Sequence, residues 1–107
     1  MIRVTLTLLA ALLATASGGA LADPATGKTK ARACAVCHGT LGVSVTPDAP
    51  NLAGQPERYV VEQLKDYRSG KRHHEVMSIM AKPLSNEDIA DLAAWFASLQ
   101  VEAREKP

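Results

Sequence analysis

The sequence predicts an all-α domain, three main helices joined by ordered loops. Three observations lead there. Ile89, Leu92, Ala93, Phe96 and Leu99 recur at helical spacing near the C-terminus, giving one apolar face. A second stretch with a one-sided apolar pattern is bounded by Pro56 and Gly70. Nowhere does a run alternate in the period of two that a half-buried strand needs.

The chain has 107 residues, enough for one domain. Its first 22 residues read as a segment apart. Arg3 is the only charge before Asp23, an apolar run follows from Val4, and small residues lead to Ala20-Leu21-Ala22. Basic, apolar, then small is the order of a secretory signal peptide, here cut before Asp23. The uncharged run is diluted by Thr5, Thr7, Thr15, Ser17, Gly18 and Gly19, which argues against a retained span. No cysteine lies near the cut, so no lipid anchor is expected there. The reading is therefore a signal peptide over 1–22 and one domain over 23–107, exported to the periplasm and not inserted in the membrane after cleavage.

Without Arg3 the 12 basic side chains become 11, against 11 acidic ones. A neutral domain has no global field for nucleic acid or anionic lipid. Its aromatic residues are Tyr59, Tyr67, Trp95 and Phe96. So short a chain buries a modest core, and such domains commonly rely on a disulfide, a metal or a cofactor.

The elements follow in order. A first, weaker helix is expected over about Thr26 to Val36, running into the cysteines. "HGTLGVSVTPDAPNLAGQ" then reads as an ordered loop, from its glycines and prolines. The second helix runs from about Pro56 to Ser69, with Pro56 at the first helical position and Tyr59, Val60, Gln63, Leu64 and Tyr67 on one side. Gly70 is its left-handed stop, with Arg68, Lys71 and Arg72 around the negative helix end. "GKRHHEVMSIMAKPL" is expected to be a second loop. In the last helix Ser85 and Asp88 form a capping box, with Leu84 and Ile89 placed as a hydrophobic staple. The charged tail "VEAREKP" is expected to fray.

The chemistry lies in "ACAVCHGTLG", which holds both cysteines of the chain, Cys34 and Cys37, followed by His38. Four readings compete. A disulfide this local closes a tiny loop and constrains little. A thioredoxin-like dithiol belongs to an α/β fold, and the strands are missing. A structural zinc site needs four ligands; no further cysteine exists, and His73 and His74 are adjacent rather than spaced by three to five. A C-x-x-C-H haem site uses all three residues, two thiols for thioethers and the histidine as axial ligand. Export, the helical pattern and the undersized core favour the haem.

With these pieces in place the chain resembles a class I c-type cytochrome, of the small single-domain bacterial kind and similar to one half of the dihaem periplasmic cytochromes. The resemblance runs from Gly27 to about Leu99 through "GKTKARACAVCHG", "APNLAGQPERYVVEQLKDYRSGKR" and "VMSIMAKPLSNEDIADLAAWFASL". It implies a cytochrome c fold with crossing N- and C-terminal helices, a third helix beside them, and one covalent haem c in the resulting pocket. Cys34 and Cys37 would form the thioethers and His38 the proximal ligand. Pro50 would offer its carbonyl to the His38 ring, and Leu52 would pack on the haem. For the sixth ligand the resemblance leaves two methionines, Met77 and Met80, with His73 and His74 behind them; alignment of "KPLSNEDIADLAA" favours Met77, which makes Met80 an apolar filler and the two histidines solvated residues of a basic loop. The function implied is a periplasmic one-electron carrier of a respiratory chain, not an enzyme. Its partners would be periplasmic redox proteins, with no nucleic acid, and the chain itself would be a monomer. The alternative is a haem-bearing subunit of a periplasmic oxidoreductase complex. The cluster Arg68, Lys71, Arg72, His73 and His74 is a candidate for docking an acidic partner or pairing with haem propionates.

Overall fold

The computed structural model describes residues 21–107. The signal-peptide reading of 1–22 thus lies outside the described residues, apart from Leu21 and Ala22. No helix among the described residues is long and apolar enough to cross a membrane.

The described residues hold helices and loops and no strand. The first helical stretch runs through α1 (Pro24–Lys30), a 3-10 turn (Ala31–Ala33) and α2 (Ala35–His38). It starts earlier than the apolar pattern suggests because Asp23 is a true N-cap. Its carboxylate accepts from the backbone N–H groups of Ala25 and Thr26, and Pro24 takes the first helical position. The helix α3 (Glu57–Ser69) begins one residue later than expected, since Pro56 with ψ 133° is its N-cap. Gly70 ends α3 in the left-handed region, φ 85°, as its position implied. The short α4 (Met77–Ala81) corrects the expectation of an unbroken loop after Gly70. In α5 (Asn86–Ser98) the Ser85–Asp88 capping box is complete in both directions. Ile89 is fully buried, and Leu84 packs against the core cluster.

The two ends of the domain cross at Gly27. A Cβ there would strike the Asp91 backbone carbonyl and lie 2.8 Å from Trp95 Cβ, so only glycine lets α1 lie this close to α5. The Lys28 ammonium sits 5.4 Å above the Trp95 ring, reinforcing the contact. The crossing also buries an acid that the apolar pattern did not reveal. Asp91 is only 4% exposed. It accepts from the Asp23 backbone N–H and from Lys30 Nζ, both at 2.8 Å. Lys30 also pairs with Asp88 at 2.9 Å. The Asp23 hydrogen bond, then Lys30, hold the Asp91 carboxyl below the usual carboxylate range. Lys30 and the Ser85 amide bring Asp88 to about 2. A buried carboxylate is tolerated because its oxygens are paired.

The helix α3 packs on α5, and α4 on α3. Arg68 joins them, donating to the Leu84 carbonyl at 2.8 Å and to Asn86 Oδ1 at 2.6 Å. The loop after α2 is tied internally and to α5. Leu52 and Ala53 N–H groups donate to the Gly42 carbonyl, and Gly54 N–H to the Phe96 carbonyl at 2.9 Å. Gly42, φ 71°, lies where a Cβ would be 2.7 Å from the Ala53 nitrogen. The protein core is thin. Ala31, Leu92 and Phe96 form its centre, and several other buried apolar residues are alanines.

Two outcomes are expected. Gly27→Ala, forced into backbone, costs about 3 kcal/mol by overpacking. That lowers the thermal midpoint by roughly 10–20 °C in a domain of this size, which a melt followed by circular dichroism measures. The depressed carboxyls of Asp88 and Asp91 lend stability above the ordinary value of 3.8 that is lost as pH falls toward 2. Melts at neutral pH and at steps down to about pH 2 should show that fall, and Asp91→Asn should make it shallower.

Candidate haem site

Between α2, the following loop, α3, α4 and α5 lies a cavity of about 930 Å³. It occupies the volume that the thin core leaves unfilled. Leu52, Val60, Leu64, Leu92 and Phe96 give it an apolar lining. Every site residue read from the sequence reaches it: Cys34, Cys37, His38, Pro50, Leu52 and Met77.

Helix α2 places three of them within one turn. Cys34 and Cys37 are half-buried free thiols. Burial pushes the Cys34 thiol up, which disfavours the thiolate a redox dithiol would use. No group of three His, Cys, Asp or Glu side chains converges among the described residues, so the zinc reading finds no ligand set. His38 is 6% exposed. Its Nδ1 lies 2.8 Å from the Pro50 carbonyl. A carbonyl only accepts, so a ring proton sits on Nδ1, which leaves Nε2 as the nitrogen able to act as a metal ligand.

The loop that supplies Pro50 is held by side chains as well as backbone. Ser44 N–H donates to Asn51 Oδ1 at 2.7 Å, Ser44 Oγ to the Thr46 carbonyl at 2.7 Å, and Gln55 Nε2 to the Asn51 carbonyl at 3.2 Å. These bonds keep the Pro50 carbonyl where the His38 ring meets it.

Helix α4 brings Met77 and Met80 to the same cavity. Met77, its first residue, is half-buried, whereas Met80 is 38% exposed. His73 is exposed and off the cavity. His74 is exposed too, as the reading of a solvated residue implied, but it also reaches the cavity and its Nδ1 is engaged with backbone, which that reading did not include. No sequence signal marked it, because a five-residue helix after an apolar N-cap shows no capping pattern. Arg72 also lines the cavity, its guanidinium 4.6 Å from the Tyr67 ring centre and 2.6 Å from Gln63 Oε1. The basic cluster is thus partly consumed internally, Arg68 by α5 and Arg72 by α3.

Helices closing around an apolar cavity, with C-x-x-C-H on one wall and a free imidazole nitrogen beside it, define a covalent-haem domain. The donors and the apolar volume suit a haem c: two thiols to bond it, an imidazole nitrogen to meet its iron, and greasy walls to hold it. The chain belongs to the cytochrome c family, whose model matches residues 24–100. Its cofactor is therefore a covalent haem c, and Cys34 and Cys37 have the attachment spacing. The chain is 43% identical over 96 residues to cytochrome c4 of Pseudomonas aeruginosa, covering 90% of this chain and 48% of that protein. It is 44% identical over 79 residues to cytochrome c-554(548) of Halomonas halodenitrificans, covering 71% of this chain and 95% of that one. The crystal structure of reduced recombinant cytochrome c4 from Pseudomonas stutzeri matches with a TM-score of 0.69 at 39% identity, over 73% of this chain and 46% of that chain. The chain thus spans about half the length of the cytochrome c4 relatives and nearly all of the shorter one.

Proposed function

We propose that the protein is a periplasmic one-electron carrier whose haem iron is held by His38 and Met77. The observation that carries this is the buried His38, oriented by Pro50, sharing one apolar cavity with the half-buried Met77.

When bound, the haem supplies a one-electron iron couple. Everything else is the work of the chain. The Pro50 carbonyl fixes the His38 ring and raises its basicity. As a soft ligand, the Met77 thioether would favour the reduced iron and raise the potential relative to two histidines. Leu52, Leu64, Leu92 and Phe96 exclude water, so an extra positive charge is poorly solvated in the cavity. With His38 from α2 and Met77 from α4 as its ligands, a bound haem iron would have both remaining positions filled by the chain. That disfavours oxygen binding and turnover and favours electron transfer over catalysis. Thioethers from Cys34, the N-cap of α2, and Cys37 within it would hold the haem on one rigid turn and keep reorganisation small. Transient redox proteins of the periplasm are the partners this implies.

Export is part of the same reading. Removal of 1–22 leaves Asp23 first, which is both the N-cap of α1 and the donor to buried Asp91. Cleavage there converts that backbone N–H into an ammonium facing a carboxylate oxygen. The intact mass of the exported holoprotein should match a chain beginning at Asp23; a chain beginning elsewhere removes the cleavage reading.

Ferric spectra of Met77→Ala and Met80→Ala test the ligand. Met77→Ala should lose the sulfur-to-iron charge-transfer band and Met80→Ala should keep it. The reverse result moves the ligand to Met80.

A further inference from the structure

The helix that carries Met77 cannot stand alone. At five residues, α4 is far below the length at which a helix persists in water. Its N-cap is Val76, which has no side-chain oxygen to offer the first turn. The missing acceptors come from His74, two residues before the cap.

His74 Nδ1 accepts from the backbone N–H of Val76 at 3.1 Å and of Met77 at 3.2 Å. Its carbonyl accepts from Ser78 N–H at 3.0 Å, and its own N–H donates to Ser78 Oγ at 3.0 Å. The Ile79 and Met80 N–H groups both go to the Val76 carbonyl at 3.0 Å. Every amide from Val76 to Met80 is therefore paired, and three of the five are paired by His74. The same ring meets buried Tyr67 of α3 edge-on, with centroids 6.5 Å apart at 75°. One imidazole thus caps α4 and braces it against the wall on which α4 packs.

We propose that His74 is the positioning residue for Met77. By fixing the Met77 amide and the first turn of α4, it holds the thioether at the cavity and keeps the sixth coordination position closed. The inference rests on the reading of Met77 as ligand. It assigns the work to Nδ1 and not to Nε2, so His74 acts through backbone and does not itself meet the iron. An acceptor at the place of Nδ1 is the one requirement. Asparagine Oδ1 falls near the place of histidine Nδ1, whereas glutamine extends its amide to the place of Nε2.

The test compares His74→Ala, His74→Gln and His74→Asn in the holoprotein. Three readouts are followed: the ferric sulfur-to-iron band during heating, carbon monoxide binding to the reduced protein, and global unfolding by circular dichroism. The Ala and Gln variants should lose the band well below global unfolding. They should also bind carbon monoxide about tenfold faster, as expected for loss of one or two hydrogen bonds. The Asn variant should behave as the parent. Amide exchange at Val76 and Met77 should quicken in the Ala variant whichever side chain ligates the iron. That separates failure of this inference from failure of the Met77 reading, which Met77→Ala decides alone. Three results would overturn the proposal: an Ala variant that binds carbon monoxide no faster than the parent, a Gln variant that rescues while Asn does not, or a band lost only together with global unfolding.

Discussion

At Gly27 the backbone of α1 rests on the backbone of α5 with no side chain between them. Much of the domain depends on that approach. It brings Lys30 and the Asp23 amide within reach of Asp91, so the charges buried there are paired as soon as the helices cross. It also fixes the direction of the 3-10 turn and α2, which continue from α1. Cys34, Cys37 and His38 are then delivered to the cavity by a rod whose other end is clamped. A looser crossing would leave the attachment residues on a mobile segment, and a larger residue at 27 would separate the helices.

The protein that surrounds the cavity is poor in bulk. Alanines fill several buried positions, and the centre of the core is small. The cofactor is in this sense a structural element as well as a redox one. Attached through Cys34 and Cys37 it would be joined to the helix pair, and the apolar side chains that α3 and α5 place along the cavity would meet it from other sides. A domain of such modest hydrophobic content would then complete its core with the cofactor.

Much of this was legible in the sequence. Ser85 and Asp88 announced the start of α5, and Gly70 the end of α3, because capping and left-handed stops are local chemistry. C-x-x-C-H was readable because two thiols and a histidine at that spacing suit one chemistry, and Pro50 came only with the family resemblance. The structure brings all six expected site residues to one cavity. Three features were not legible. Asp91 lies on the side of α5 facing α1, and only the crossing shows that its charge is paired. The helix α4 has neither the length nor the cap that marks a helix. His74 stood in a run of basic residues, and its role depends on amides that follow it, which no residue pattern displays. Tertiary partners decide all three.

The two bonds of Arg68 carry one more consequence. They fasten the end of α3 to the start of α5, so residues 70–83 form an excursion between two points that are pinned by a group outside it. The entropy of closing such an excursion changes slowly with its length. Insertions and deletions there need not disturb the helix crossing, whereas the attachment side is continuous with α1 and has no such freedom. The cavity therefore has one wall continuous with the helix crossing and one hung between two pinned points, tied back to the core through fully buried Ala81.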